Sequence, residues 1–440
     1  MPAPPHEAAV TGYRTLDAPP PDLLDACVRC GACIQACPTH QELGVEPDDP
    51  RGRVFLIKAV GDGTLHIDDA FEHHIYGCLD CRACETACPM GVQVGRLIEE
   101  ARGEIRAVRQ PSGIQDRVIR AVLARLFPFP RRFEALARAL WLGRRSGLTR
   151  LLRPLLPPAL RASEPHLPTP PWRSARQRLR CRPTPSATRA EKGTVALLHG
   201  CVMNTLFADT TIATADVLER NGWRVVVPTG QTCCGALHVH EGAREGGKAL
   251  ARRNIAAFEE AGADYYLVNA AGCGSALKEY GVLLRNDAAW SERAERFGAK
   301  VRDASELLVE HGWTPPHSGA PMRVVYQDAC HLAHAQRVRA QPRALLRSVP
   351  ELDLVEMPHG DRCCGSAGIY NITHPTLANA LLARKVGDVP EGVDTLVTSN
   401  PGCHMHIQRG LHDGGSSVRV RHLMDVLDGA YRRDAERSGA

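Results

Sequence analysis

Two cysteine runs near the amino end determine how the first part of this chain folds. They read Cys27-Val-Arg-Cys30-Gly-Ala-Cys33-Ile-Gln-Ala-Cys37-Pro38 and Cys78-Leu-Asp-Cys81-Arg-Ala-Cys84-Glu-Thr-Ala-Cys88-Pro89. Both have the spacing C-x2-C-x2-C-x3-C-P, which holds cubane iron–sulfur clusters in bacterial ferredoxins. The spacing therefore predicts a domain with two 4Fe-4S clusters.

Ligation by these runs is expected to be crosswise. The first three cysteines of a run hold one cluster from a tight loop, and the fourth reaches the other cluster. One cluster would take Cys27, Cys30, Cys33 and Cys88, and the second Cys78, Cys81, Cys84 and Cys37. Shared ligands make the clusters close neighbours, so the domain is expected to carry single electrons.

Two other uses of these cysteines fit less well. Structural zinc is typically held by paired C-x2-C knuckles and gains nothing from a third and fourth cysteine in each run. Disulfides need an oxidising compartment, whereas residues 1–12 lack the apolar core of a secretory signal. The chain is therefore expected to be cytoplasmic.

The composition is that of an ordinary globular protein. The 440 residues are 44% hydrophobic and 23% charged, enough for two or three domains with buried cores. The net charge of +5 is too small to imply nucleic acid as a partner. No apolar run reaches the ~18 residues of a membrane span, so any membrane contact is expected to be peripheral, on the inner face of the cell membrane, or to be made through a partner.

The two-cluster domain is predicted to span residues 1–111 and to be mostly helical. Residues 1–22 are rich in proline and predict an extended arm, with the first helix beginning near Asp22. Apolar spacing predicts helices over 52–60 and 69–75 between the runs, and a last helix over 94–108.

Residues 112–192 are predicted to form a basic helical segment followed by a stiff linker. Between Asp116 and Arg161, only Asp116 and Glu134 oppose eleven arginines: Arg117, Arg120, Arg125, Arg131, Arg132, Arg138, Arg144, Arg145, Arg150, Arg153 and Arg161. Such a segment suits an anionic membrane or an acidic partner, and equally a solvated face on ordinary packing helices. The linker is marked by Pro165, Pro168, Pro170, Pro171, Pro183 and Pro185. Cys181 within it matches no motif and is interpreted as a surface thiol.

The second half of the chain is an internal duplication, with copies predicted over residues 193–320 and 321–440. Copy one carries Cys201, Cys233-Cys234-Gly235 and Cys273, and copy two carries Cys330, Cys363-Cys364-Gly365 and Cys403. Cys330 follows Cys201 by 129 residues, and Cys363 and Cys403 follow Cys233 and Cys273 by 130 each. A spacing kept this closely identifies two repeats of one unit.

Each repeat alternates short β-branched runs with helical patterns, which predicts parallel βα units. The cysteines follow the predicted strands and so are expected to converge at the carboxyl edge of a sheet, where open α/β folds bind ligands. Gly235 and Gly365 would let the chain turn tightly after the paired cysteines.

The Cys-Cys-Gly pattern resembles the cysteine-rich domain of heterodisulfide reductase B subunits. It is shared by iron–sulfur subunits of glycolate oxidase, lactate utilisation and anaerobic glycerol-3-phosphate dehydrogenase complexes. The order and detail look most like the glycolate oxidase iron–sulfur subunit, through the segment beginning Asp49-Pro-Arg-Gly-Arg-Val, the string Gly272-Cys-Gly-Ser-Ala-Leu-Lys-Glu-Tyr-Gly, and Cys363-Cys-Gly-Ser-Ala-Gly-Ile-Tyr with Thr373-His-Pro.

The resemblance implies an electron-transfer subunit that is inactive alone. FAD-binding subunits on other chains would oxidise glycolate to glyoxylate, and this chain would pass the electrons to a quinone or a similar acceptor. The absence of G-x-G-x-x-G after a strand, of a P-loop and of a nucleophile elbow agrees with this division of labour. The alternatives are a lactate or glycerol-3-phosphate complex, or a catalytic subunit that cleaves a disulfide at the Cys-Cys-Gly sites.

The sequence departs from the heterodisulfide reductase pattern at the end of each repeat. That pattern closes with C-x2-C, whereas here Cys273 is followed by Ala276 and Cys403 by His406. Each repeat thus offers four cysteines, enough for one further cluster, with His406 as an additional ligand because imidazole replaces thiolate on iron in some centres. The alternative is that these cysteines are buried thiols without metal.

Overall fold

The computed structural model describes residues 10–111, 113–156, 161, 164–182, 191–319 and 321–438. A helical two-cluster domain is followed by a basic helical segment and by two α/β repeats. The predicted α+β multidomain fold is therefore confirmed. The limits at 111, 192 and 320 stay predictions, and the part of the proline-rich arm before Val10 lies outside the described residues.

The two-cluster domain is built from helices packed around one apolar core. Its helices are α1 (Pro21–Asp25), α2 (Pro38–Leu43), α3 (Pro50–Gly61), α4 (Asp69–Tyr76), α5 (Ala83–Ala87) and α6 (Val94–Val108). Strands β1 (Val10–Thr11) and β2 (His66–Ile67) pair antiparallel. Asp49 caps α3 by accepting from the Gly52 amide, and Val54, Ile57 and Leu97 are among the core residues that α3 and α6 contribute.

The basic segment forms three helices: α7 (Ile114–Arg125), α8 (Pro130–Arg145) and α9 (Leu148–Leu152). A further helix, α10 (Ala175–Arg180), lies inside the predicted linker. Ser174 begins α10 with a capping box, Ala175 is fully buried, and Arg176 forms an ion pair with Glu134 of α8 at 2.8 Å. This part of the linker therefore packs against the protein instead of acting as a spacer. The linker prolines Pro183 and Pro185 lie outside the described residues.

Each repeat contains a four-stranded parallel sheet of the same topology. Repeat one (residues 193–320) has β3 (Gly193–Leu197), β4 (Trp223–Val226), β5 (Tyr265–Val268) and β6 (Val301–Asp303), and repeat two (residues 321–440) has β7 (Met322–Tyr326), β8 (Leu352–Glu356), β9 (Thr395–Thr398) and β10 (Arg419–His422). The spatial orders are β4-β3-β5-β6 and β8-β7-β9-β10. In both sheets the first strand lies between the second and the third, which creates a crevice at their carboxyl ends.

Helices cover both sheets. Those of repeat one are α11 (Val202–Thr205), α12 (Ala208–Arg220), α13 (Ala236–His240), α14 (Arg244–Glu260), α15 (Ala271–Lys278), α16 (Tyr280–Leu283), α17 (Ser291–Lys300) and α18 (Ala304–Glu310). Those of repeat two are a π-helix (His331–Ala335), α19 (Ala340–Arg347), α20 (Tyr370–Thr373), α21 (Pro375–Gly387), α22 (Pro401–Asp413) and α23 (Leu423–Ser438).

The two repeats share one hydrophobic core. Val195 and Leu197 of β3, Val324 and Tyr326 of β7 and Leu427 of α23 belong to a single buried cluster. The cysteine-bearing edges also touch, because the Ala271 amide donates to the Ser399 carbonyl at 3.1 Å. The repeats therefore face each other with their carboxyl edges together.

Among the described residues, no helix is both long enough and apolar enough to cross a bilayer.

Candidate iron–sulfur sites and the central cavity

The two cysteine runs fold into loops with the same backbone pattern. Arg29 and Gly31 flank Cys30 with positive φ angles of 57° and 83°, and Asp80 and Arg82 flank Cys81 with φ of 50° and 60°. A non-glycine residue in this region costs roughly 1–3 kcal/mol and persists where the surroundings impose it, typically at functional sites. Each loop curls so that three thiols face a common point.

The first predicted set of ligands lies together at the protein surface. Quartet 1 consists of Cys27, Cys30, Cys33 and Cys88, which line one cavity that Cys84 also borders. Cys30 is exposed, and the other three are partly buried. The structure thus brings the fourth cysteine of the second run to the first three of the first run.

The second predicted set lies together in the interior. Quartet 2 consists of Cys37, Cys78, Cys81 and Cys84, which line a separate cavity. Cys37, Cys81 and Cys84 are buried. Cys37 directly precedes α2, whose first residue, Pro38, turns the chain away from the loop. Quartet 2 is thus enclosed by protein, whereas quartet 1 reaches solvent.

A buried arginine beside quartet 2 was not anticipated from the sequence. Arg53 is 1% exposed, forms an ion pair with Asp48 at 3.2 Å and donates to the Thr39 hydroxyl at 3.0 Å. Burial raises the pKa of the Cys37 thiol, and the Arg53 guanidinium opposes that shift. Arg53 is next to apolar residues on α3. This position on a mostly apolar face is the one feature of the sequence that could have indicated a buried arginine.

The four cysteines of repeat one converge as quartet 3, which consists of Cys201, Cys233, Cys234 and Cys273. The Cys234 and Cys273 sulfurs are 3.3 Å apart, and the Cys201 thiol lies against Cys233. Contact with Cys233 and burial together raise the pKa of the Cys201 thiol well above its usual range. Gly235 follows with φ of 87°, which a side chain would strain.

The Cys-Cys-Gly turn of quartet 3 is held by a polar network. The Asn254 amide donates to the Cys233 carbonyl at 3.0 Å and to the Tyr280 hydroxyl at 3.0 Å. The Tyr280 hydroxyl in turn donates to the Cys234 carbonyl at 2.7 Å. These bonds hold the backbone carbonyls of Cys233 and Cys234 and leave the two sulfurs free to face Cys201 and Cys273.

The four cysteines of repeat two converge in the same way as quartet 4, which consists of Cys330, Cys363, Cys364 and Cys403. The Cys363 thiol contacts Cys330 and Cys364, and Cys364 contacts Cys403. Asn400 donates to the Cys403 sulfur at 3.4 Å. The predicted convergence of the cysteines at the strand ends therefore holds in both repeats.

A second buried cation, Lys385, lies beside quartet 4. It is fully buried, and its ammonium group donates to the His359 and Gly360 carbonyls at 3.1 and 2.9 Å. Burial lowers its pKa, and the thiols of Cys364, Cys363 and Cys403 oppose that shift. Lys385 lies on helix α21, and no local sequence pattern distinguishes it from an exposed lysine.

His406 also lies against quartet 4. It is buried, its Nε2 atom has no hydrogen-bond partner, and the nearby thiol of Cys364 partly opposes the lowering of the His406 pKa by burial. Repeat one has Ala276 at the matching position. Quartet 4 thus has a fifth potential ligand that quartet 3 lacks.

Quartets 2 and 4 touch across the domain boundary. The Cys81 thiol lies against the Cys363 thiol, and each affects the pKa of the other. Leu79, Cys81, Cys363, Tyr370, Ala378 and Leu381 form one apolar cluster around this contact. The second cysteine run and repeat two are therefore joined at their cysteines.

A central cavity of about 480 Å³ lies where the two-cluster domain and both repeats meet. It is lined by all eight cysteines of quartets 3 and 4 and by Cys78. Histidines from the two-cluster domain and both repeats contribute to its wall: His73, His199, His240, His331 and His374. Ile119 and Arg120 of α7 also line it, so the basic segment borders the same cavity.

Comparison with known families agrees with this division of the chain. Residues 23–92 match the "4Fe-4S dicluster domain" model. Residues 195–278 and 324–408 match the "Cysteine-rich domain" model, once in each repeat. The matched ranges include all sixteen cysteines of the four quartets.

Individual relatives narrow the assignment. The chain is 41% identical over 413 residues to the "Probable glycolate oxidase iron-sulfur subunit" of Bacillus subtilis (strain 168), covering 91% of this chain and 92% of that one. This chain belongs to the glycolate oxidase iron–sulfur subunit family. A second family member, the "Glycolate oxidase iron-sulfur subunit" of Escherichia coli (strain K12), is 35% identical over 96% of this chain and 97% of its own length.

The family also has more distant neighbours. "Lactate utilization protein A" of Exiguobacterium sp. (strain ATCC BAA-1283 / AT1b) is 30% identical over 236 residues, which is 53% of this chain and 96% of that protein. The glycolate oxidase family matches along nearly the whole chain, so the predicted resemblance is confirmed and the lactate alternative fits less of the sequence.

Proposed function

We propose that this chain is the electron-transfer subunit of a flavin-dependent glycolate dehydrogenase complex and is inactive alone. The relatives named for glycolate oxidase support the substrate. The observation that carries the proposal is that the four quartets form a connected series. The series begins at the exposed Cys30 of quartet 1 and continues to quartet 2. It then passes through the Cys81–Cys363 contact to quartet 4 at the central cavity.

Quartets 1 and 2 would each ligate one 4Fe-4S cluster in the crosswise manner. The fit is supported by the grouping of one cysteine from each run with three from the other. Arg53 would offset part of the negative charge of quartet 2, since a buried thiolate group needs a nearby cation. Clusters held there would carry single electrons.

Quartets 3 and 4 are proposed as further iron–sulfur sites. Four buried or partly buried thiols packed together cannot all ionise without a cation between them, and such a set suits iron. In quartet 4, Lys385 would contribute positive charge and His406 would be an additional ligand. The alternative is that these cysteines are free thiols without metal. A measured iron content above about eight per chain would exclude this alternative.

Electrons would enter at quartet 1 from the FAD-binding subunits on other chains. Cys30 is exposed, and the large apolar side chains of Val28, Phe55 and Met90 around it are exposed as well. Apolar residues at the rim of a redox site are typical of an interface with another protein. The opposite end of the series, at the central cavity, is then where electrons would leave.

The basic segment is proposed to hold the chain on an anionic membrane surface, near a quinone acceptor. Its exposed arginines include Arg117, Arg131 and Arg150, whereas Glu134 is buried and Asp116 pairs with Arg120. Eleven of the nineteen large exposed hydrophobic side chains among the described residues lie between residues 114 and 172. An apolar and cationic surface without free acids suits anionic lipids.

The subunit assignment is tested by reconstitution. The purified chain alone is expected to show no glycolate oxidation, and addition of the flavin subunits should restore glycolate-dependent quinone reduction. Lactate and glycerol 3-phosphate serve as competing substrates in the same assay. Glycolate oxidation by the isolated chain would refute the assignment.

A second candidate function is disulfide reduction in the central cavity. The observation that favours it is that quartets 3 and 4 both line this cavity. Under this alternative, Cys234→Ala and Cys364→Ala should abolish thiol–disulfide chemistry of the isolated chain. Under the electron-transfer proposal, the isolated chain has no such chemistry, and both variants impair only electron flow or assembly.

A further inference from the structure

A second type of metal-binding group lies beside the cysteine quartets. One carboxylate oxygen of Asp80 and one ring nitrogen each of His240 and His331 lie within 4.8 Å of one another. Asp80 comes from the two-cluster domain, His240 from repeat one and His331 from repeat two. All three line the central cavity. The cluster is thus formed only when the three domains are assembled.

The polar atoms of this cluster are buried, and one of its ring nitrogens has no partner. Asp80 is 3% exposed and His331 is 9% exposed. The Nδ1 atom of His331 has no hydrogen-bond partner, and the two Asp80 oxygens have ion-pair contacts with His240 at 3.0 Å and with Arg82 at 3.7 Å. A buried ring nitrogen without a partner is costly, and a bound metal ion would give the lone pair of His331 Nδ1 a partner.

The spacing of the group suits a small metal ion. The His240 Nδ1 atom lies 3.0 Å from an Asp80 oxygen and 2.9 Å from a Glu99 oxygen. Two ligands of a tetrahedral Zn²⁺ ion, each about 2.0 Å from the metal, are about 3.3 Å apart. A modest outward shift of these side chains would therefore leave room for the ion.

His331 already has the second hydrogen bond of a typical metal ligand. Its Nε2 atom donates to the Asp80 carbonyl at 2.8 Å, which leaves the lone pair of Nδ1 free. Ligating histidines almost always donate their other ring N–H to a carbonyl or a carboxylate, which fixes the tautomer and orients the ring.

The charges at this site are unbalanced without a cation. Arg82 is the guanidinium that contacts the carboxylates of Asp80, Glu99 and Glu279. With neutral histidines, these four groups carry two excess negative charges, which a divalent ion would neutralise. Without such an ion, His240 itself is the counter-charge, because Asp80 and Glu99 overcome the effect of burial and raise its pKa to about 10.

We propose that Asp80, His240 and His331, with Glu99, bind one divalent first-row transition ion that joins the two-cluster domain to both repeats. Two imidazoles and carboxylate oxygens suit Zn²⁺ or Fe²⁺. The site contains no cysteine and is separate from the four quartets. Its ion would lock the three domains around the central cavity.

The test uses the anaerobically purified holoprotein, loaded with Zn²⁺ and desalted. About one zinc per chain is expected, and X-ray absorption at the zinc edge should show only nitrogen and oxygen neighbours at about 2.0–2.1 Å. Sulfur neighbours at about 2.3 Å would place zinc on the cysteines and overturn the proposal. Failure to retain zinc would also overturn it and would leave protonated His240 as the counter-charge.

Single-residue variants distinguish zinc binding at this site from metal binding by the cysteine quartets. His240→Ala should lose the zinc and keep the iron and sulfide content. The matched control is His238→Ala on the same helix, whose imidazole contacts the Leu123 carbonyl, and it should keep both metals. If His240→Ala fails to fold, Glu99→Gln should weaken zinc binding at least tenfold. Equal zinc retention by Glu99→Gln and the wild type would contradict the proposal.

Discussion

Cys81 and Cys363 are 282 positions apart in the sequence, yet their side chains pack in one buried cluster. One belongs to the second ferredoxin-type run and the other to the Cys-Cys-Gly turn of repeat two. The contact joins quartets 2 and 4 with no intervening residue. It gives the four quartets a spatial order in which quartet 1 is at the surface and quartets 3 and 4 border the central cavity.

Replacement of Cys363 should slow electron transfer from quartet 2 to quartet 4. In Cys363→Ser, the flavin subunits should still reduce the clusters of the two-cluster domain, but quinone reduction by the complex should fall at least tenfold. Stopped-flow absorbance measures the first step, and steady-state quinone reduction measures the second. Cys181→Ser is the control, because Cys181 is exposed and belongs to no quartet. Full quinone reduction by Cys363→Ser would show that the contact carries no electrons.

Crosswise ligation predicts which cluster each fourth cysteine supports. Cys88→Ala should lose the cluster nearest the surface, and Cys37→Ala the buried one, each with a loss of up to about four irons per chain. EPR of the reduced protein distinguishes the two losses, since each variant retains the signal of the other cluster. If Cys88→Ala instead removes the cluster of Cys78, Cys81 and Cys84, the crosswise assignment is wrong.

Arg53 should raise the reduction potential of the cluster held by quartet 2, because a nearby buried cation favours the more negative reduced state. Arg53→Gln is expected to lower this potential by about 60 mV, a tenfold change for one electron. An EPR-monitored redox titration measures the shift. Lys58→Gln removes a charge from the solvent side of the same helix and should leave the potential unchanged. An unchanged potential in Arg53→Gln would mean that the guanidinium acts only on packing.

His422 makes the packing of the repeats sensitive to acid. Its Nε2 atom donates to the Asn269 carbonyl of repeat one at 2.8 Å, and burial lowers its pKa from 6.5 to about 4. Between these values the unfolded chain binds the additional proton, so stability falls as the pH drops below about 6.5, by up to 1.4 kcal/mol per pH unit for one proton.

This sensitivity is measured as the loss in thermal midpoint between pH 7.0 and 5.5. The loss should be smaller in His422→Gln, whose amide keeps a donor and does not titrate. An equal loss in the variant and the wild type would assign the effect to other groups.

Membrane binding should depend on the apolar residues at the end of the basic segment. Leu151 and Leu155 are 75% and 80% exposed, and their insertion into a bilayer is worth about 1.5–3 kcal/mol each. The double variant Leu151→Ser, Leu155→Ser should bind vesicles that contain anionic lipid at least tenfold more weakly in a flotation assay. Leu16→Ser is the control, because Leu16 is 86% exposed but lies outside the segment. Equal binding to neutral and anionic vesicles would argue against this surface.

Local sequence patterns were sufficient for the cysteine sites themselves. The C-x2-C-x2-C-x3-C-P spacing and the repeat interval grouped sixteen cysteines into four sets, and the structure assembles the same sets. The reason is that the conformation of a short ligand loop, or of a turn directly after a strand, depends mainly on residues close by in the sequence.

Features that depend on how the domains dock could not be read from the sequence. The contact between Cys81 and Cys363 requires the relative placement of two domains. Arg53 and Lys385 become significant only once their helices are packed beside thiols. The prolines around helix α10 predict a linker, whereas the ion pair between Arg176 and Glu134 holds this helix against α8.

The most direct test of the account is the iron and acid-labile sulfide content of the anaerobically purified chain, measured together with EPR. The account predicts a brown protein with more than about eight irons per chain, the number that quartets 1 and 2 would hold alone, and an equal amount of sulfide. A colourless protein without sulfide, whose cysteines hold zinc, would contradict it.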